Sequence, residues 1–110
     1  GTGVRDYIHV CDLAYGHSLA IDFLLESRGC EIFNLGSGKG FSVLEIVKTF
    51  EKFLEKKLNY QIVSRREGDL DHLLANSEKA KRSLGWETKL TLDDMVNHTL
   101  NWMNKYPSGY

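Results

Sequence analysis

Proline occurs once, at Pro107, and cysteine twice, at Cys11 and Cys30. Nothing upstream of Pro107 is therefore interrupted by a helix-breaking ring. Two cysteines are too few for a disulfide framework, and the expectation for them is a pair of buried thiols. His9, His17, His72 and His98 lack the close Cys and His spacings of zinc sites, so no metal is expected. An excess of charge of either sign is also missing: 14 Lys and Arg residues face 15 Asp and Glu residues. That balance offers no broad cationic surface for nucleic acid or an anionic membrane. No apolar run approaches the roughly 20 residues that cross a bilayer, and the opening GTGVRDYIHV lacks the charged-then-apolar layout of a signal peptide. A soluble, cytoplasmic chain is expected. No serine sits in a nucleophile elbow, and the acidic pairs Asp69 with Asp71 and Asp93 with Asp94 suit a loop and a helix start, so the residues show no catalytic set.

What is present is enough for one core. The chain has 110 residues, 42% of them hydrophobic, which fits a single domain spanning 1–110. Arg5 to Val10 suits a short strand, and Asp12 is placed to cap a helix that starts at Leu13 and runs to about Ser27, with Gly29 as its stop. Glu31 to Leu35 reads as a second strand, closed by Gly36, Gly38 and Gly40. Ser42 followed by Glu45 is a capping box, and Val43, Leu44, Ile46, Val47, Phe50, Phe53 and Leu54 supply the apolar stripe of the helix behind it. Leu58 to Val63 alternates as a strand would, and Ser64 to Asp71 is a polar, charge-dense loop. Ser77 and Gly85 bracket a short helix; Thr91 and Asp94 open a last amphipathic one, whose face comprises Leu92, Met95, Val96, Thr99, Leu100 and Met103 and which ends near Tyr106. The pattern is a mixed α/β one.

Two clusters invite a ligand. NLGSGKG stands between a strand and a helix as a phosphate loop would, but counting from Gly36 the sixth residue is Phe41, so the dinucleotide spacing fails, and no Walker lysine follows. The expectation there is a turn leading into a capped helix. Arg5, Arg66 and Asp69 are a better set. Guanidinium groups present fixed, parallel donors that match phosphate oxygens, and a carboxylate accepts from ribose hydroxyls. Solvated surface ion pairs are the ordinary use of such residues.

The opening GTGVRDYIHVCDLAYGH resembles the signature of extended short-chain dehydrogenase-type nucleotide-sugar enzymes. FNLGSGKGFSVLEIVKTFEK, RREGD, SEKAKRSLGW and TLNWMNKYPSGY then resemble, in order, the C-terminal segments of the UDP-glucose 4-epimerase family. The resemblance covers essentially the whole chain. It implies the C-terminal, substrate-binding part of an extended Rossmann-type, NAD-dependent epimerase that takes hydride from C4 of the sugar, lets the 4-keto sugar turn over and returns hydride to the other face.

By the same resemblance Arg5 and Arg66 would hold the diphosphate of a UDP-sugar, Asp69 would accept from the uridine ribose, and Gly3 and Val4 would lie against the nucleotide. Leu73 would look onto the sugar pocket where relatives often carry a bulky tyrosine, which leaves room for an N-acetylated UDP-hexose; the alternative for Leu73 is packing in the core. The family's cofactor-binding glycines and its Tyr-x-x-x-Lys pair have no counterpart here: Tyr7, Tyr15, Tyr60 and Tyr106 are not followed four positions later by lysine. NAD is thus expected in the complete family enzyme and not on this chain alone. An apolar patch should be exposed, met either by a homodimer or by a partner supplying the NAD-binding half. Another nucleotide-sugar epimerase or dehydratase, or a noncatalytic assembly module derived from one, are the competing readings.

Overall fold

A computed structural model describes residues 2–27 and 29–109. Gly1, Arg28 and Tyr110, two of which end the matched motifs, lie outside the described residues. The elements are β1 (Val4–Arg5), α1 (Val10–Ser27), β2 (Phe41–Ser42), α2 (Val43–Leu54), β3 (His72–Leu73), α3 (Glu78–Leu84) and α4 (Leu92–Lys105). The three strands form one sheet in the order β2-β1-β3. β1 runs antiparallel to β2, with Val4 opposite Ser42 and Arg5 opposite Phe41. It runs parallel to β3, with Val4 opposite His72 and Arg5 opposite Leu73. No helix among the described residues is long and apolar enough to cross a membrane.

The helices form where side chains satisfy their free ends. Ser42 accepts from the Glu45 amide at 3.2 Å while Glu45 accepts from the Ser42 amide at 2.7 Å, the reciprocal box expected from the sequence. Thr91 and Asp94 do the same for α4, at 3.2 and 2.8 Å. Ser42→Ala should cost about 1 kcal/mol of stability, read from the midpoint of chemical denaturation. Gly85 stops α3 in the left-handed region at φ 65, and its amide and that of Trp86 return to the Lys81 and Ala80 carbonyls.

α2 packs on α4 and α1 on α3. Trp86 lies at the second junction with no exposed surface, and its indole donates to the Asp12 carbonyl at 2.8 Å. α1 can approach because residue 16 has no side chain: a Cβ there would stand 2.7 Å from Leu35 Cδ1 and 2.9 Å from Trp86 Nε1. Ala80 and Val96 are buried with Trp86. His9 Nε2 and His98 Nδ1, 2.8 Å apart, tie the start of α1 to α4. His9 Nδ1 accepts from the Cys11 amide at 3.0 Å, so the shared proton sits on His9 Nε2.

Several expectations are corrected. The first strand is two residues long, and α1 begins at Val10, because His9 and not Asp12 takes an amide of the first turn. Asp12 is buried and accepts instead from the amides of Lys89 and Leu90, each at 3.0 Å. No strand forms at 31–35 or 58–63; neither has a ladder partner among the described residues, and Tyr60, Ile62 and Val63 are exposed. Ser77 does not cap α3 through its side chain; its hydroxyl donates to the Gly36 carbonyl at 2.9 Å, and Asn76 Oδ1 takes the Glu78 amide. Met103, expected on the apolar face of α4, is exposed, and Cys11 and Cys30 are exposed thiols where buried ones were expected.

Candidate functional site

Alternation along the chain sorts residues 3–7 to two sides. Gly3, Arg5 and Tyr7 line a pocket of about 220 Å³, closed by Val43 from α2 and by Arg65, Arg66, Asp69 and Leu70 from the loop before β3. Val4 turns the other way, against Gly40, where an added Cβ would meet Val4 Cγ1 at 2.3 Å. The structure thus brings Gly3, Arg5, Arg66 and Asp69 together, and brings Val4 only through its carbonyl.

Arg5 is held before any ligand arrives. Its Nη1 donates to the Val4 carbonyl at 2.8 Å and the Leu70 carbonyl at 3.0 Å, and its Nη2 stands 3.5 Å from Asp69 Oδ1. A side chain at position 3 would crowd this group, since a Cβ there lies 2.9 Å from Nη1. Arg66 reaches the same carboxylate from solvent, Nε to Oδ2 at 3.2 Å and Nη2 to Oδ1 at 3.4 Å, with 87% of its side chain exposed. The Arg66 guanidinium, with Arg5 behind it, holds the Asp69 carboxyl below its ordinary value. Asp69 is therefore an ionised acceptor between two cations. Arg65, missing from the sequence-based set, pairs with Asp71 and adds a third guanidinium. Its place beside Arg66 was the available signal; for Tyr7 it was the two-residue offset from Arg5. Leu73 is 55% exposed, which overturns packing in the core. It lines a neighbouring hollow of about 380 Å³ that shares Arg5 with the first pocket.

The glycine turn between 36 and 40 has another occupant. Asp6 accepts from the Ser37 amide at 2.8 Å, the Ser37 hydroxyl at 2.7 Å, the Gly38 amide at 2.9 Å and the Ala75 amide at 3.2 Å. The amides a phosphate would need are spent on a carboxylate of the chain itself. The residues here do not fit a dinucleotide pyrophosphate. Burial pushes the Asp6 carboxyl up, but the Ser37 hydroxyl and the three amides outweigh it and hold the group below its ordinary value. Protons then bind the unfolded chain first as pH falls. The stabilising share of Asp6 is complete above about pH 4, the ordinary aspartate range, and is lost as pH drops through its lower folded value. Thermal melts should show a decline in Tm below about pH 4 that is shallower in Asp6→Asn.

A family model described as GDP-mannose 4,6 dehydratase matches residues 1–99. Over 110 residues the chain is 50% identical to the UDP-glucose 4-epimerase of Homo sapiens and 48% identical to that of Bifidobacterium longum, each match covering 100% of this chain and 32% of the relative. It spans about a third of the length of these curated relatives. The crystal structure of the Bifidobacterium longum UDP-glucose 4-epimerase in complex with NAD+ and UDP matches with a TM-score of 0.91 at 48% identity, over 99% of this chain and 32% of that one. The Stenotrophomonas maltophila UDP-glucose 4-epimerase, with bound NAD and formylated UDP-arabinopyranose, gives 0.89 at 42%, over 96% and 32%. The chain therefore belongs to the nucleotide-sugar epimerase/dehydratase family described by that model, and it is similar along its whole length to a part of the UDP-glucose 4-epimerases.

Proposed function

We propose that residues 1–110 form one substrate-anchoring unit, the C-terminal portion of an NAD-dependent UDP-glucose 4-epimerase that interconverts UDP-glucose and UDP-galactose in the cytoplasm. The observation that carries this reading is the convergence of Arg5, Arg66 and Asp69 on one pocket from segments far apart in sequence. In it the two guanidinium groups grip the diphosphate, and Asp69 exchanges its arginine contacts for a ribose hydroxyl. Gly3 keeps the floor low beside Arg5. The chain anchors and orients, and it supplies no group that transfers hydride.

Leu73, beside Arg5 in the sheet register, faces the sugar and leaves room for an N-acetyl group. The exposed apolar side chains Val10, Ile21, Leu25 and Ile32 are what a partner carrying the NAD-binding half would cover. Calorimetric titration with UDP, UDP-glucose and NAD tests the reading. Heats from the two uridine nucleotides and none from NAD are expected. Binding of none of the three, with a self-associating chain, would favour an assembly module instead.

A further inference from the structure

Asp6 takes no part in the anchor itself, yet it makes four hydrogen bonds to three other residues, Ser37, Gly38 and Ala75. We propose that Asp6 is a positioning residue for Arg5: by clamping Ala75 to the glycine turn, it fixes β3 and the loop carbonyl on which the Arg5 guanidinium rests. The proposal builds on the anchoring role assigned to Arg5 above.

The strands are the reason a clamp is needed. β1 and β3 are two residues each, and ladders that short supply few bonds of their own. On one side of β3, Val4 donates to the Asp71 carbonyl at 2.8 Å. On the other side, two residues past Leu73, the Ala75 amide is held by Asp6 Oδ2. Leu70, whose carbonyl receives Arg5 Nη1, and Asp69, its ion partner, lie two and three residues before this strand. A slip of β3 would therefore move two of the three partners of Arg5 at once.

Residue 36 is shaped to the same clamp. It is buried, and a Cβ there would stand 2.6 Å from Asp6 Oδ2 and 2.5 Å from the Ala75 side chain. The turn thus closes on the carboxylate with no space for a side chain, and only an ionised acceptor suits four donors at once. The low-lying titration of Asp6 agrees with that state.

The test compares three variants of the ¹⁵N-labelled full chain by UDP titration, by the Arg5 Nε–H resonance and by hydrogen exchange at the Val4 amide. Asp6→Asn puts an NH₂ group where an acceptor is required. Ser37→Ala removes only the hydroxyl contact and keeps the variant set readable should Asp6→Asn not fold. Thr91→Ala weakens a cap on α4, far along the chain, and controls for loss of stability alone. Asp6→Asn is expected to raise the UDP Kd about tenfold, shift the Arg5 resonance and speed Val4 exchange; Ser37→Ala should move all three less and in the same directions. Thr91→Ala should lower Tm and leave the three readouts in place. Unchanged Kd and an unmoved Arg5 resonance in folded Asp6→Asn or Ser37→Ala would overturn the positioning role. If the unsubstituted chain binds no UDP, the anchoring role of Arg5 fails separately, and the resonance and exchange data still decide whether Asp6 positions it.

Discussion

Trp86→Ala should remove a large part of the chain's folding stability. Removing a buried tryptophan costs about 3 to 5 kcal/mol through lost transfer energy and the cavity left behind. A chain of this size has about 5 to 15 kcal/mol to lose. The core around Trp86 has little in reserve: the other buried hydrophobic side chains among the described residues are Ala80 and Val96. The substitution also removes the hydrogen bond that the indole gives to the Asp12 carbonyl. Trp86→Phe should keep most of the packing and lose about 1 kcal/mol with the hydrogen bond. Far-ultraviolet circular dichroism through a urea titration separates the two, because the alanine variant should unfold at a much lower urea concentration than the phenylalanine variant.

Arg5→Ala should weaken UDP binding by about tenfold to more than a hundredfold, the equivalent of one or two charge-assisted contacts of about 1.5 to 3 kcal/mol each. Arg66→Ala should sit at the lower end of that range. Both side chains offer the same donors, and their prior order sets them apart. Arg5 is held by two carbonyls and an aspartate, so little rotamer freedom remains to be lost when a ligand arrives. Arg66 is 87% exposed, and ordering it costs about 0.5 to 1.5 kcal/mol of the contact it makes. Titrations of the two variants under matched salt check the order: a larger loss for Arg66→Ala would mean that the tethering of Arg5 confers no advantage.

The parts of this fold that the sequence disclosed are those in which the signal is local. Ser42 with Glu45, Thr91 with Asp94, and Gly85 each settle a helix end within a few residues, and all three lie where their spacing places them. The apolar content and closing glycines of 31–35 and the alternation at 58–63 were weaker guides, because they report local composition while a strand needs a neighbour to pair with. The start of α1 was hidden for a different reason. Asp12 has the chemistry of a cap, but its carboxylate is drawn to the Lys89 and Leu90 amides across the fold, and histidine, a poor statistical candidate, takes the cap. At the site, residue types singled out Arg5, Arg66 and Asp69, and resemblance supplied their roles. The pleat that turns Val4 away and Tyr7 in was legible from period-two spacing, whereas the link from Asp6 to Ala75 joins residues too distant in sequence for any pattern to show.

The most direct test of the anchor is a pair of calorimetric titrations of the unsubstituted chain, one with UDP and one with uridine. If guanidinium groups poised for a diphosphate dominate the site, UDP should bind at least about tenfold more tightly than uridine, and raising the salt should narrow the gap. Equal affinity for the two, or no measurable binding of UDP, would contradict it.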